Sequence, residues 1–117
     1  MELDHDRLAL SRTVDLTTIG RRSGAPRRVE IWWWRVDGRF IITGTPGRRD
    51  WLANIHANPE VTIHVDGLDI PAHAVPIDDA SFRRRVFTTP DTSWYETQAE
   101  LDHLVDSSPM VEILFPD

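Results

Sequence analysis

With 117 residues the chain has the length of one domain, and a domain of this size buries roughly two-thirds of its unfolded surface. No apolar run approaches the ~20 residues of a membrane span, and the acidic start MELDHDRLAL is unlike a signal peptide; with no cysteine, disulfides and thiolate metal sites are excluded and a cytoplasmic setting is expected. A net charge of −6 argues against a general nucleic-acid binder, and every basic residue is arginine.

In chain order, Met1 to Leu10 reads as a short helix or a frayed end. Arg12 to Thr18 alternates Val14 and Leu16 with polar neighbours, the period of a half-buried strand. Gly20, Gly24 and Pro26 mark a turn. Val29 to Arg35 is a strand rich in tryptophan and β-branched residues, and Asp37-Gly38 is a two-residue hairpin signal leading into a returning strand, Arg39 to Thr43. Gly44 to Gly47 is a loop. Arg48 to Ala57 places Trp51, Leu52 and Ile55 at helical spacing, and Asn58-Pro59 stops it. Val61 to Val65 alternates again. Asp66-Gly67 signals a second hairpin, and Leu68 to Pro76 returns, with Pro71 confined to an edge or a bulge. Asp78 or Asp79 caps a helix from Ala80 to Phe87. Ser93 to Val105 reads as an amphipathic helix with Trp94 among its apolar positions, and Met110 to Phe115 as a last strand.

About six strands joined mostly by hairpins, with two or three short helices between the later ones, predict a mainly β (α+β) single domain over 1–117. The expected architecture is a small antiparallel β-barrel with helices packed outside. No βαβ repeat, GxGxxG or Walker loop is present, which argues against a Rossmann or P-loop nucleotide site.

The chemistry concentrates in two turns. Arg21, Arg22, Arg27 and Arg28 crowd the first, TTIGRRSGAPRR, where their like charges repel unless solvated or neutralised. A phosphate or carboxylate would accept forked hydrogen bonds from them, and Thr17, Thr18 and Ser23 add hydroxyls. A solvated hairpin tip is the alternative. In the second turn, TGTPGRRD, a strand end runs through Gly44, Thr45, Pro46 and Gly47 into a helix whose N-terminus favours anions; an ordinary strand–helix loop is the alternative. Trp32 and Trp34 face one side of their strand and Trp33 the other. One face is core, and the second leaves an indole to a pocket or an interface. Asn54 is either a surface residue or a partner for a polar ring edge. Tyr95 is either packing or a proton donor. The five histidines show no HxH or HExxH spacing, so no metal site is expected.

The order TTIGRRSGAPR, strand–hairpin–strand, GTPG and WLANIHANPEVTI resembles the deazaflavin-dependent nitroreductase family. These are split-β-barrel oxidoreductases related to the pyridoxamine-phosphate-oxidase-like flavin proteins. The matching stretch runs from about Leu16 to Val65, and PMVEILFPD is similar to the family's closing strand. The resemblance implies a deazaflavin cofactor, coenzyme F-420, with FMN as the alternative. It places Arg21, Arg22, Ser23 and Arg27 at its phosphate and tail, Gly44, Thr45 and Pro46 at its ring, and Trp51 and Asn54 nearby on the helix. It implies hydride transfer to a small acceptor of quinone, nitro or enone type, with Tyr95 or Trp94 shaping the acceptor pocket and Tyr95 as the candidate catalytic residue. A homodimer closed by the tryptophan cluster is compatible with the same resemblance, as is a non-catalytic carrier of a cofactor or lipid-like ligand. The sequence departs from the family pattern at Glu30, where proline is common, and in a short loop between Gly47 and Trp51.

Overall fold

The structure is a computed structural model and describes residues 2–116; Met1 and Asp117, the outermost residues of the stretches read above as N-terminal helix and closing segment, lie outside the described residues. Six antiparallel strands close into a barrel in the order β1-β2-β3-β6-β5-β4, with β4 returning to β1. The strands are β1 (Thr13–Ile19), β2 (Pro26–Val36), β3 (Arg39–Thr43), β4 (Glu60–Val65), β5 (Leu68–Pro76) and β6 (Met110–Leu114). The helices are α1 (His5–Leu8), α2 (Asp50–Ala57), α3 (Ala80–Thr88) and α4 (Leu101–Ser107), with a 3₁₀ segment at Pro90–Thr97.

Two hairpins set the register. Asp37 and Gly38 take φ of 52° and 78°, and Asp66 and Gly67 take 53° and 73°. Positive φ at both central residues is the turn whose twist matches the flanking strands. Once the register is set, alternation sorts the side chains. Leu16, Trp33, Ile42 and Ile63 point into the barrel, joined by Leu8 of α1 and by Trp51 and Ile55 of α2. Trp34 and Ile41 point outward and are covered by Val86, Phe87, Tyr95 and Leu104 from the later helices. Of the three consecutive tryptophans, Trp33 and Trp34 therefore enter different cores, and Trp32 is left 40% exposed beside Trp94, which is 45% exposed.

The barrel is split along β2. From Pro26 to Trp32 this strand pairs with β1, and from Trp33 to Val36 with β3, so the Pro26–Trp32 part has no β3 partner on its other edge. β3 ends at Thr43, whose Oγ1 donates to the carbonyl of Pro109 at 2.5 Å. The chain then turns away from β2. Pro71 sits opposite Thr62 of β4, and β6 begins to pair with β5 only at His73. The proline therefore occupies a one-sided position, where its missing N–H costs no ladder bond.

The expected single helix from Ser93 to Val105 is corrected to a 3₁₀ segment and a separate α4. The i→i+3 bonds Thr92 N–H to Thr89 O and Gln98 N–H to Tyr95 O tighten the backbone. Extended backbone at Glu100 then starts α4 afresh. The break turns Tyr95 inward and leaves Trp94 outside.

Replacing Trp33 with alanine should cost about 3–5 kcal/mol, whereas Trp32→Ala should stay within about 1 kcal/mol. Denaturant unfolding of the two variants checks this, and equal losses would contradict the assignment of the two faces.

A candidate anion-binding cleft

The first turn is built around Gly20. A Cβ there would lie 2.7 Å from Ser23 Oγ and 3.1 Å from Ala25 O, closer than packed atoms approach. Gly20 N–H donates to Ala25 O and Gly24 N–H to Gly20 O, each at 2.8 Å. Gly24 takes φ +70°, and Ser23 Oγ accepts from Ala25 N–H at 3.1 Å. The turn is thus closed on itself and projects its arginines outward.

Asn54 of α2 locks that turn to the helix. It is buried, and its Oδ1 accepts from the backbone N–H of Arg21 at 3.1 Å and from Arg21 Nη1 at 2.9 Å. Its Nδ2 donates to Thr18 Oγ1 at 3.0 Å. Its Oδ1 is engaged twice and one of its two Nδ2 N–H groups once, so Asn54 orients Arg21 and the turn.

Between turn and helix lies a cleft of about 610 Å³, within the usual range for small-molecule sites. Its lining includes Arg21, Arg22, Ser23, Arg27, Trp51 and Asn54, with Val29 on the free part of β2. Arg28 also lines it but is held by Asp15 Oδ2 at 2.8 Å. Arg22 and Arg27 are exposed and have no carboxylate partner among the described residues. Arg49 precedes α2 in extended conformation and makes no side-chain cap, so the first N–H groups of the helix stay free for an acceptor. A larger groove of about 1070 Å³ runs along Glu2, Asp4, Asp6 and Arg35, but its carboxylates repel a polyanion.

The remaining candidates lie elsewhere. Gly44, Thr45 and Pro46 are outside the cleft lining. Their loop is stapled by Arg49, whose Nη2 donates to Thr45 O at 2.9 Å and to Thr45 Oγ1 at 3.1 Å. A Cβ on Gly44 would come within 3.1 Å of that nitrogen, the far end of a side chain that can shift aside. Tyr95 is buried in the second core, where its hydroxyl accepts from Trp34 Nε1 at 3.1 Å. Burial raises its pKa above the ordinary tyrosine value; the Trp34 hydrogen bond and nearby Arg12 partly offset this. Glu30 stands opposite Asp15 in the β1–β2 register and is not among the lining residues. Asp50, which lines the cleft, was given no role by the sequence reasoning.

Asn54→Ala should destabilise the protein by about 1–3 kcal/mol, because Arg21 N–H and Thr18 lose their partner. Unchanged denaturant stability would contradict the clamp. The Tyr95 shift has a definite sign. The unfolded chain releases the phenolic proton first, so stability is full below about pH 10 and falls as pH rises through the raised folded value. Tyr95→Phe should flatten that alkaline limb in pH-dependent unfolding.

The family model for F420H(2)-dependent quinone reductase matches residues 6–105. Among solved structures, an F420-H2 dependent reductase shares 19% identity at a TM-score of 0.59, covering 87% of this chain and 93% of its own. A FAD-binding protein from Mesorhizobium loti shares 19% identity at 0.63, covering 94% and 85%. A chain described as a domain-swapped dimer shares 21% at 0.63, covering 87% and 79%. At these identities the solved structures establish a shared fold. The family match spans most of the sequence, and with it the chain belongs to the F420-dependent quinone reductase family, whose members are oxidoreductases that depend on the reduced deazaflavin F-420.

Proposed function

We propose that the cleft between the first turn and α2 holds the phosphate-bearing part of F-420, and that the protein reduces a small planar acceptor of quinone, nitro or enone type. The observation that carries this is the pairing of two carboxylate-free guanidiniums, Arg22 and Arg27, with an uncapped helix N-terminus around one cleft. That donor set suits a phosphate. Arg22 and Arg27 grip it, while Arg21, fixed by Asn54, shapes the wall. Ser23 Oγ already accepts a turn bond and can still donate. Trp51, on the inner wall, excludes water with its indole.

The free edge of β2 from Pro26 to Trp32 presents alternating N–H and C=O groups, which can pair with the polar edge of a heterocycle. Had the β2–β3 register continued past Trp33 and Ile42, Gly44 would lie opposite Ile31. The loop Gly44–Pro46 is therefore the second side of the split, and a ring extended from the cleft along β2 would meet it. When bound, the reduced deazaflavin supplies a hydride; the chain's own contribution is orientation and exclusion of water.

Trp32 and Trp94 are exposed with ring centroids 5.4 Å apart, backed by buried Trp34 and Tyr95. Packed edge to face at 72°, they offer an apolar corner to a planar acceptor, and Tyr95 supports it from below. The same surface is where a homodimer would close, an assembly supported by the domain-swapped dimer of similar fold. The FAD-binding protein of similar fold makes FMN the ligand to compare.

Titration with F-420 beside FMN tests the reading, with the deazaflavin expected to bind preferentially. Replacing both Arg22 and Arg27 with alanine should weaken F-420 by about 1.5–3 kcal/mol for each charged hydrogen bond lost. Unchanged affinity in a folded double variant would sink the phosphate assignment, and preference for FMN would move the chain to flavin chemistry.

A further inference from the structure

The aromatic corner has a cation beside it. Arg12 immediately precedes β1, and the β1–β2 register sets the next residue, Thr13, opposite Trp32. The Arg12 guanidinium carbon lies 3.6 Å over the ring of Trp34, and Nη1 donates to the Trp33 carbonyl at 2.9 Å. These contacts hold the group by its face and one N–H. The other N–H groups of the fork have no partner among the described residues. Arg12 is exposed and, unlike Arg28 and Arg35, makes no ion pair with a carboxylate among the described residues. Trp34 in turn meets Trp32 edge to face, with ring centroids 6.2 Å apart, and its Nε1 is already bonded to Tyr95. Glu30 lies on the other side of Trp32, opposite Asp15 in the register. The outward positions of β2 therefore run from a carboxylate, through an exposed indole, to an indole covered by a guanidinium.

We infer that the Trp32–Trp94 corner is a site for a planar aromatic anion, and that Arg12 selects its charge. The ring packs on the two exposed indoles. A carboxylate or ionised hydroxyl at its edge takes the free N–H groups of Arg12, on the side away from Glu30. The guanidinium is already placed by Trp34 and the Trp33 carbonyl, so little side-chain freedom is lost on binding. A neutral ring of the same shape gains the apolar contact but forgoes the charge-assisted hydrogen bond. Of the acceptor types proposed above, the one this favours is a quinone bearing an ionised ring hydroxyl. That last step rests on the reading of the corner as the acceptor site, whereas the anion site itself does not.

The test titrates the whole protein with naphthoate and with naphthamide, its neutral counterpart, and follows the indole NMR signals. Opposite charges about 4 Å apart in a nearly aqueous dielectric change affinity about 5-fold. Naphthoate should therefore bind about 5-fold tighter than naphthamide, shifting Trp32 and Trp94, and added salt should narrow that gap. Arg12→Gln should abolish the gap and leave naphthamide unchanged. Arg12→Lys, which keeps the charge without the planar fork, should retain part of it. Arg84→Gln removes a guanidinium from the exposed pair with Asp102 and should keep the full gap. Equal affinities for the two ligands in the wild type would overturn the inference. So would shifts confined to Trp51, which would place the anion in the arginine cleft, or no shift at either exposed indole, as when a second copy closes the corner. Turnover with reduced F-420 separates the two readings. A hydroxynaphthoquinone ionised at neutral pH should show a KM about 5-fold below that of naphthoquinone, a difference lost in Arg12→Gln. Selective naphthoate binding without turnover of either quinone would sink the acceptor reading and leave the anion site standing. Turnover of both quinones with equal naphthoate and naphthamide affinities would sink the inference alone.

Discussion

The site depends on one buried amide. Asn54 ties Thr18 on β1 and Arg21 in the first turn to α2. Without it the turn and the helix are separate surface features. With it they form the two walls of a cleft. Replacing the buried partner of several polar groups is costly because each must then find water or remain unmet, so the clamp fixes the geometry of the turn before any ligand arrives. Such preorganisation lowers the entropic cost of binding.

The arginines divide into those already engaged by the fold and those left available. Arg28 is held by Asp15, Arg21 by Asn54, and Arg49 by the loop it staples. Arg12 stacks 3.6 Å above Trp34 and donates to the Trp33 carbonyl. Arg83 donates to the carbonyls of Ile77, Val105 and Ser108, tying α3 to the end of α4. Within an acidic chain this leaves Arg22 and Arg27 as the pair facing solvent across the cleft. The planar guanidinium serves both roles: it forks onto carbonyls in the interior and onto oxyanions at the surface.

Much of the barrel was legible in the sequence because its signals are local. Asp37-Gly38 and Asp66-Gly67 set the turns, and the strands returning from them, Arg39–Thr43 and Leu68–Pro76, have the limits expected from the sequence. The segment from Ser93 to Val105 failed for the opposite reason. Its apolar spacing fits one helix, but tertiary packing of Tyr95 under Trp34 favours a tighter segment and a restart at Glu100. At the site, the turn and helix residues could be read from their motifs and do converge. The two arginine clusters looked alike in sequence yet do different work, since only the fold reveals that Arg49 points back onto its own loop. Asn54 was visible as a polar residue on a helix, but its partners come from distant chain positions that no spacing announces. Asp50 was hidden because an acidic residue in the first helical turn is ordinary there.

A crystal structure with F-420 bound tests the central claim most directly. The account predicts phosphate oxygens within hydrogen-bonding distance of Arg22, Arg27 and the first N–H groups of α2, with the Asn54 clamp unchanged. A cofactor phosphate seated instead against Arg48 on the far side of α2, or along the acidic groove near Asp6, would contradict it.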